Sequence, residues 1–331
     1  MDTRGLTRRR AITIIATSIA GLASGRSVMD HTFVDYEWRG FAMGTDARIV
    51  FSGVENDSAR MVAAMVSVEI ERLESALSLF RDDSEIARLN RDKVLPEPTG
   101  DMRRALGLAL EIAATTEGLF DPTVQALWEA YANWFAASPG ADIPSQAMIS
   151  EALGAVDWRR IKLTHNSIYL GDNQRVTLNG LGQGYVTDRI ADLLRSHGFN
   201  HVLVDLGEQR AIGPRRDGAP WLIERQGTDG IDLTEGALAT SEGSGCVLGG
   251  AGAFHHLFDP RTGRSPSQWQ RVTVHHRSAA IADGLSTALY AAAAHELPDI
   301  LERFGDIAVW TTDRDGGEQH WTSPFVAHEK A

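Results

Sequence analysis

Cysteine, clustered basic residues and long apolar runs are scarce in this 331-residue chain. A single cysteine, Cys246, excludes an internal disulfide and any metal site built from several cysteines, and we expect it to pack as a small residue in a glycine-rich turn. The formal net charge of -12 argues against a protein that tracks nucleic-acid phosphates with Lys and Arg. A single small nucleotide remains possible as a ligand, because its phosphates need only a few backbone N–H groups or a metal ion.

The apolar run nearest the N-terminus is short. It extends over Ala11 to Ala23, follows Arg8-Arg9-Arg10 and leads into small residues, whereas a membrane-spanning helix needs about 20 apolar residues. A basic start, a short apolar run and a small-residue exit predict a signal peptide, and the paired arginines favour twin-arginine export. We therefore expect residues 1–28 to be a signal peptide of the twin-arginine type and the protein to be periplasmic, without a stable membrane span. The alternative is a buried helix that begins with a basic turn.

The remaining chain, residues 33–325, is predicted to form one mixed α+β domain with two subdomains. In the first predicted helix, over 58–79, the apolar residues recur at helical spacing and are expected to face the core; they are Met61, Met65, Val68, Leu73 and Leu77. The pattern lacks the regular strand–helix alternation of a doubly wound sheet. Further predicted helices cover 84–90, 102–116, 124–135, 186–197 and 281–294, and predicted strands cover 47–51, 161–163, 167–170, 175–178, 201–206, 221–225, 272–276 and 307–311.

A glycine-rich turn runs from Leu178 to Tyr185, with glycines at 180, 182 and 184, directly before a predicted helix. Glycines allow the backbone to approach a ligand closely, and a helix N-terminus favours a phosphate group. The spacing differs from the dinucleotide-binding GxGxxG pattern. An ordinary strand-to-helix turn is an equally good interpretation of this segment taken alone.

A carboxylate and a hydroxyl lie four residues apart on the predicted helix 281–294. At that spacing Asp283 and Thr287 share one helix face, and oxygen ligands of this kind suit magnesium. The alternative is a capping aspartate with a structural threonine. A third segment contains His255 and His256 before Asp-Pro-Arg-Thr-Gly. Neighbouring histidines on a strand point to opposite faces, so at most one would serve a given site as a general base or ligand.

The order of these segments resembles the ApbE family, the FAD:protein FMN transferases. The resemblance covers roughly Phe41 to Thr312. It rests on seven segments: Met43-Gly44-Thr45, Phe80 to Asn90, Gly118 to Thr123, Gly180 to Tyr185 with Asp188, Ala239-Thr240-Ser241, His256 with Asp259 to Gly263, and Ala282 to Ala288.

The resemblance implies a magnesium-dependent enzyme that takes FAD as its substrate. Asp283, Thr287 and the carbonyl of Gly180 would bind the metal, and His256 would assist deprotonation of an acceptor hydroxyl. An acceptor Ser or Thr would attack the FMN phosphorus and AMP would leave. Some positions match flavin-contacting residues of the family, and others replace charged residues beside the nucleotide. Together they are Met43, Phe80, Leu119, Phe120, Asp121, Thr177, Gln183 and Leu257.

Some positions depart from the family pattern. Gln183 stands where many members have Lys, Thr177 where many have Asp, and Leu206-Gly207-Glu208 replaces a Gly-Gly-Asp run. The first two changes each remove a charge beside the phosphates or the adenosine. Together with the twin-arginine leader, Gln183 resembles the NosX-type subgroup of nitrous oxide reduction, whose acceptor is a membrane-bound, NosR-like electron-donating protein.

Two other functions fit the same residues. Water in place of the acceptor would make the protein an FAD pyrophosphatase that yields FMN and AMP. A protein without catalysis would be a periplasmic FAD-binding maturation factor. Release of free FMN identifies the first alternative, and FAD binding without AMP formation identifies the second.

Overall fold

The computed structural model describes residues 34–137, 144–225, 229–245, 247–248 and 254–323. The predicted signal peptide and Cys246 lie outside these ranges. In the described ranges, no helix combines the length and the apolar character needed to cross a membrane.

The order of elements confirms a mixed α/β fold. The helices are α1 (Asn56–Leu77), α2 (Glu85–Asp92), α3 (Gly100–Thr115), α4 (Gln125–Ala137), α5 (Gln146–Leu153), α6 (Gly182–Ser196), α7 (Ala279–Ala291) and α8 (Leu297–Arg303). The strands are β1 (Val34–Ala42), β2 (Thr45–Val54), β3 (Val94–Pro96), β4 (Lys162–Leu163), β5 (Ser167–Tyr169), β6 (Val202–Asp205), β7 (Gln209–Ile212), β8 (Trp221–Ile223), β9 (Ile231–Leu233), β10 (Gly236–Glu242), β11 (Val247–Leu248), β12 (Phe254–His255), β13 (Trp269–His276), β14 (Ala308–Asp313) and β15 (Glu318–Thr322).

One eight-stranded antiparallel sheet organises the fold, in the order β1-β2-β6-β7-β10-β13-β14-β15. Because successive strand residues face opposite sides, Val202 and Val204 of β6 join the main core while Leu203 joins a smaller cluster under the β8–β9 hairpin. Helices α6 and α7 cover the main-core side, and α7 packs directly on β10 and β13. The sheet therefore supports α7, which is the helix that contains Asp283 and Thr287.

The buried face of α1 agrees with the prediction only at its C-terminal end. Leu73 and Leu77 are buried as predicted, but Met61, Met65 and Val68 are exposed. The other residues that the helix buries are alanines, valines and one isoleucine (Ala59, Val62, Ala63, Val66, Ile70 and Ala76). Hydrophobic spacing alone favoured the larger methionines. In the fold the small side chains face inward, where they allow α1 to approach its neighbours closely.

The predicted meander over 161–178 is also wrong in its last part. β4 and β5 pair as expected, but the third strand of this small sheet is β3, and residues 175–178 form no strand. The Val176 amide donates to Asn90 Oδ1 at 2.7 Å, and Asn90 Nδ2 donates to the Val176 carbonyl at 2.8 Å. The Asn90 side chain therefore takes the place of a neighbouring strand.

Gly184 allows α6 and α7 to touch. A Cβ at this position would lie 2.3 Å from the Ala279 carbonyl oxygen and 2.8 Å from Ala280 Cα. These are backbone atoms, so no side-chain rotation relieves the overlap. We expect Gly184→Ala to lower the free energy of unfolding by about 1–3 kcal/mol or more, measured by urea denaturation.

The matched control for this substitution is Gly107→Ala, because Gly107 is also helical and its Cβ would meet only Leu163 Cδ2 at 3.8 Å. Alanine is the better helix former, so this variant should be about 0.5–1 kcal/mol more stable than the wild type. Equal stability of the Gly184→Ala protein and the wild type would contradict the close contact of α6 with α7.

Candidate active site

The glycine-rich turn ends at the start of α6 and lies against α7. Gly182 N–H donates to the Leu178 carbonyl at 2.6 Å, which closes the turn tightly. A Cβ on Gly180 would meet the Phe120 ring at 3.0 Å and Thr287 Oγ1 at 3.2 Å. The turn around residue 120, the glycine-rich turn and α7 therefore meet at Gly180, and a larger residue there would separate them.

Two of the three predicted metal ligands, Gly180 and Thr287, are in contact, and Asp283 lies one helical turn before Thr287. Thr287 Oγ1 is 3.3 Å from the Gly180 carbonyl oxygen, and Asp283, one helical turn earlier, accepts a hydrogen bond from Gly184 N–H at 3.0 Å through Oδ2. Magnesium binds oxygen at about 2.0–2.1 Å with octahedral geometry, so adjacent ligand oxygens sit roughly 3 Å apart. The spacing of Gly180 and Thr287 fits this geometry. Within the described residues no group of three or more His, Cys, Asp or Glu side chains could hold a metal ion, so this candidate site has a single carboxylate.

The metal-ligand candidates lie in an electronegative environment. Burial, opposed by the hydrogen bond from Gly184 N–H and assisted by the charge of Asp188, raises the pKa of Asp283 to about 7. Burial also raises the pKa of the Glu208 carboxyl, to which the nearby Asp283 charge adds. Glu208 is held in place through Oε2, which accepts from Thr240 N–H at 3.1 Å. A bound cation would compensate the buried charge of Asp283, so the donor set and its surroundings both fit a metal ion.

Asp188 of α6 fixes the start of α7. Its carboxylate accepts hydrogen bonds from Ser278 Oγ at 2.6 Å, Ala279 N–H at 2.8 Å and Ala280 N–H at 3.1 Å. It also forms an ion pair with the buried Arg210 of β7. The first turn of α7 is thereby attached to α6 and to the sheet. In the sequence Asp188 is recognisable only as part of a motif, because its partners are 22 to 92 residues away.

The predicted flavin-contacting residues Met43 and Phe80 lie beside the glycine-rich turn. Met43 and Gly44 have positive φ of 48° and 86°, and Met43 N–H is held by Glu74 Oε1 at 2.7 Å. The Phe80 ring covers Gly44, where a Cβ would lie 2.9 Å from the ring, and 75% of Phe80 is exposed. A Cβ on Gly182 would be 3.3 Å from Met43 Cε. These contacts link an exposed aromatic ring to the start of α6.

Leu119, Phe120 and Asp121 form a buried turn on the other side of Gly180. The Asp121 carboxylate accepts from Thr123 N–H at 2.8 Å and from Trp158 N–H at 3.0 Å. Burial raises its pKa. The carboxylate therefore shapes the turn, and a contact of these three residues with flavin stays a prediction.

Thr177 and Gln183 both shape the surroundings of the glycine-rich turn. Thr177 N–H donates to the Pro122 carbonyl at 2.8 Å, and its Oγ1 accepts from Asn179 N–H at 3.1 Å. The side chain of Gln183 lies over Gly207, whose φ is 106° and whose Cβ would be 2.7 Å from Gln183 Cδ. Gln183 therefore contacts the loop that contains Glu208.

The histidine segment lies at the end of β10. Ser241 of β10 is 2.8 Å from Ser286 Oγ and 3.5 Å from Thr287 Oγ1, both measured from its own Oγ. The turn Gly243–Gly245 that follows approaches His256, with a Cβ on Gly245 falling 3.5 Å from His256 Cε1. His256 is half-buried, and Leu257 packs against the main core. The role of His256 toward an acceptor stays a prediction.

Known proteins are similar to this chain in both sequence and fold. Residues 43–311 match the sequence profile of the ApbE family. The FAD:protein FMN transferase of Salmonella typhimurium is 26% identical over 308 residues, which cover 86% of each chain. That of Escherichia coli is 26% identical over 314 residues, 88% of this chain and 89% of the relative.

Among solved structures, the ApbE protein of Thermotoga maritima has a TM-score of 0.77 at 26% identity, over 88% of this chain and 98% of that one. The flavinyl transferase ApbE of Pseudomonas stutzeri has the same fold, with a TM-score of 0.76 at 23% identity over 89% of this chain and 96% of that one. The fold and the match over residues 43–311 together show that the chain belongs to the ApbE family.

Proposed function

We propose that this protein transfers the FMN half of FAD to a Ser or Thr hydroxyl of an acceptor protein and releases AMP. Magnesium bound by Gly180, Asp283 and Thr287 would supply the positive charge that the pyrophosphate needs. One observation carries the proposal: the Thr287 hydroxyl is 3.3 Å from the Gly180 carbonyl oxygen, and the buried Asp283 carboxylate, one helical turn earlier, accepts from Gly184 N–H of the same glycine-rich turn. These groups lie in a chain whose relatives are FAD:protein FMN transferases.

The transfer forms one bond and breaks one. The acceptor oxygen bonds to the phosphorus of the FMN half, and the bond from that phosphorus to the bridging oxygen breaks. AMP leaves with the bridging oxygen and its electron pair, and the acceptor proton passes to His256. Such a displacement needs in-line positioning and charge stabilisation more than a covalent protein intermediate. A site with one buried carboxylate, a hydroxyl and a carbonyl matches that need.

Phe80 and Met43 would hold the flavin. The exposed Phe80 ring offers a face on which a flat ring system can stack, and the turn at Met43 and Gly44 brings that face close to the start of α6. Gln183, in the first turn of α6, is neutral, and its amide lies against Gly207. Binding of the phosphates would therefore depend on the metal and on backbone N–H groups more than on a basic side chain.

We further propose that the protein is exported by its twin-arginine leader and acts in the periplasm. Its acceptor would be a membrane-bound, NosR-like electron-donating protein of the nitrous oxide reduction system. The arginine pair of the leader and the Gln183 substitution support this assignment. Co-expression with such a protein should give a covalently flavinylated band only when both chains are present, and an unlabelled partner would exclude it.

Three outcomes separate the candidate functions in one assay. Purified protein is incubated with FAD and Mg²⁺, with and without an acceptor protein, and AMP, free FMN and denaturation-resistant flavin are quantified. Transfer predicts AMP together with covalently bound flavin. Hydrolysis predicts AMP with free FMN and no need for the acceptor. Tight FAD binding without AMP would indicate a non-catalytic binding protein and would contradict the proposal.

Magnesium affinity should depend on pH through Asp283. Because burial raises the pKa of its carboxyl to about 7, a proton competes with the metal below that pH. We expect the apparent Mg²⁺ affinity to fall about tenfold per pH unit below 7 and to level off above it. Isothermal titration of the FAD-free protein over this range measures the slope. An affinity that stays constant from pH 5.5 to 8 would contradict the assignment of Asp283 as ligand.

A further inference from the structure

Hydroxyl groups of β10 and α7 form a short buried chain beside the candidate metal ligands. Ser241 Oγ lies 2.8 Å from Ser286 Oγ and 3.5 Å from Thr287 Oγ1. Ser241 is 8% exposed and Ser286 is 1% exposed, so these two hydroxyls are largely shielded from water. Neither serine takes part in the proposed reaction as described above, although Ser241 contacts a proposed metal ligand directly.

The protons of this chain of hydroxyls can be assigned in order. A hydroxyl donates one proton and accepts through two lone pairs. Ser286 Oγ lies 2.9 Å from the Asp283 carbonyl oxygen, which can only accept, so Ser286 donates its proton there. The proton between Ser241 and Ser286 therefore comes from Ser241. Ser241 Oγ is left with lone pairs alone, and in its contact with Thr287 the donor must be Thr287.

The Thr287 hydroxyl has one proton and two acceptors within reach. The Gly180 carbonyl oxygen lies 3.3 Å from Thr287 Oγ1, and Ser241 Oγ lies 3.5 Å from it. A shared metal ion removes the first acceptor, because Gly180 and Thr287 would then both direct a lone pair at the ion. A proton between the two oxygens would meet the positive charge of the ion. Metal binding therefore requires the Thr287 proton to turn away from Gly180.

The Asp283 carbonyl, which a helical threonine four residues later often uses as an acceptor, is already occupied. As part of α7 it accepts the backbone N–H of Thr287, and it also accepts from Ser286 Oγ at 2.9 Å. A carbonyl oxygen has two lone pairs, so these two donors use both of them. Ser241 Oγ is therefore the acceptor to which the Thr287 proton can turn.

We propose that Ser241 positions Thr287 for metal binding: Ser241 Oγ accepts the Thr287 hydroxyl proton and thereby directs a lone pair of Thr287 Oγ1 toward the ion. Ser286 fixes the orientation of Ser241 by accepting the Ser241 proton. Ser241 is a positioning residue, since it acts on the metal through Thr287. This inference rests on the proposed function, whose metal site it extends from the ligands to the groups that orient them.

Ser241→Ala should weaken Mg²⁺ binding. Groups that orient a metal ligand contribute roughly 10–100-fold to metal affinity, and we expect the Kd for Mg²⁺ to rise about tenfold, measured by isothermal titration of the FAD-free protein. Ser52→Ala is the matched control. Ser52 is a buried serine of β2, three positions from β10 in the same sheet, and its Oγ donates to Asp35 Oδ1 at 3.1 Å. This variant should lower the Tm and leave the Kd for Mg²⁺ unchanged.

A double-mutant cycle shows whether Ser241 acts through Thr287. Thr287→Val keeps the size of the side chain and has no proton to donate. In the wild-type background, Ser241→Ala should reduce the rate of AMP formation at subsaturating Mg²⁺ by about tenfold. In the Thr287→Val background the same substitution should change this rate by less than about twofold, because the hydroxyl on which Ser241 acts is already gone.

The other outcomes overturn the role of Ser241 and leave its failure distinct from that of the proposed function. An unchanged Kd for Mg²⁺ in Ser241→Ala, or an equal loss of rate in both backgrounds, would overturn this role while the proposed function stands. An equal rise of the Kd in Ser52→Ala would show that lost stability weakens binding, which also overturns it. A wild type that binds no Mg²⁺ and forms AMP without it would refute the metal site, and this inference would fail with it.

Discussion

Asp283→Asn is expected to reduce flavin transfer by on the order of 10²–10³-fold while the protein stays folded. The amide keeps the shape of the side chain and can still accept the Gly184 N–H hydrogen bond. It removes the charge that would hold the metal, and metal stabilisation of a phosphoryl-transfer transition state contributes several kcal/mol. The transfer rate at saturating FAD and acceptor measures the effect.

The same substitution, which reduces transfer, should leave the metal-free protein at least as stable as the wild type. The pKa of Asp283 is raised by burial to about 7 from an ordinary value near 4, so the folded protein binds a proton more tightly than the unfolded chain. Without metal, the contribution of Asp283 to stability therefore falls as the pH rises from about 4 to 7 and stays low above pH 7. Asp283→Asn lacks this loss, so its metal-free Tm at neutral to alkaline pH should equal or exceed that of the wild type.

Asp192→Asn is the matched control, because Asp192 is an exposed residue of α6 and its ion pair with Arg189 lies on the protein surface. It should change neither transfer nor the pH dependence of Tm. A wild-type rate in Asp283→Asn would exclude this carboxylate as a metal ligand. A large fall in its Tm would mean that the charge supports the fold, which the burial of Asp283 contradicts.

Asp188→Ala is expected to lower the free energy of unfolding by about 3–5 kcal/mol. The substitution leaves the guanidinium of Arg210 buried without its partner and removes three hydrogen-bond acceptor contacts at the start of α7. Because Asp283 lies in the first turns of α7, transfer should also fall at temperatures where the variant is folded. Chemical denaturation followed by circular dichroism measures the stability change.

A second substitution separates the ion pair from the helix cap. In Asp188→Ala/Arg210→Met neither charge of this ion pair remains buried, so most of the free energy of unfolding that is lost with the ion pair should be recovered. The free energy of unfolding should stay about 0.5–2 kcal/mol below that of the wild type, because the cap at the start of α7 is still missing. Stability of the double variant no higher than that of Asp188→Ala would contradict the ion pair as the main cause. Wild-type stability of the single variant would contradict both contributions.

The shared helix face of the two candidate metal-binding side chains could be predicted from the sequence because it is a local feature. Asp283 and Thr287 are one helical turn apart, and helical spacing placed them on one face before the fold was known. The Gly180 carbonyl came from the resemblance to the family, since nothing in the sequence of a glycine shows where its carbonyl points. The structure brings that oxygen within 3.3 Å of Thr287 Oγ1.

The residues that support the site could not be predicted, because their contacts span distant parts of the chain. Glu208 is buried near Asp283, which lies 75 positions later in the sequence, and Asp188 contacts residues up to 92 positions away. The strand β10 was not predicted at all. Its segment, Gly236–Glu242, is rich in small residues with weak strand preference, and only the ladders with β7 and β13 make it a strand.

The buried face of a helix was also predicted incorrectly in part. The helix α1 and the burial of Leu73 and Leu77 are confirmed, yet Met61, Met65 and Val68 of the same predicted face are exposed. Side-chain size suggested that methionine would be buried, and tertiary packing selected alanine and valine instead. A helical period identifies a helix more reliably than it identifies which of two moderately apolar stripes meets the sheet.

In the proposed function, cleavage of FAD and modification of the acceptor are one reaction. Both products can be counted in a single reaction of purified protein, FAD, Mg²⁺ and acceptor: AMP by chromatography and covalent flavin by intact mass. We expect equal amounts of AMP and of acceptor carrying one FMN, and neither product with Asp283→Asn. AMP in excess with free FMN, or covalent flavin that forms equally in Asp283→Asn, would contradict the proposed function.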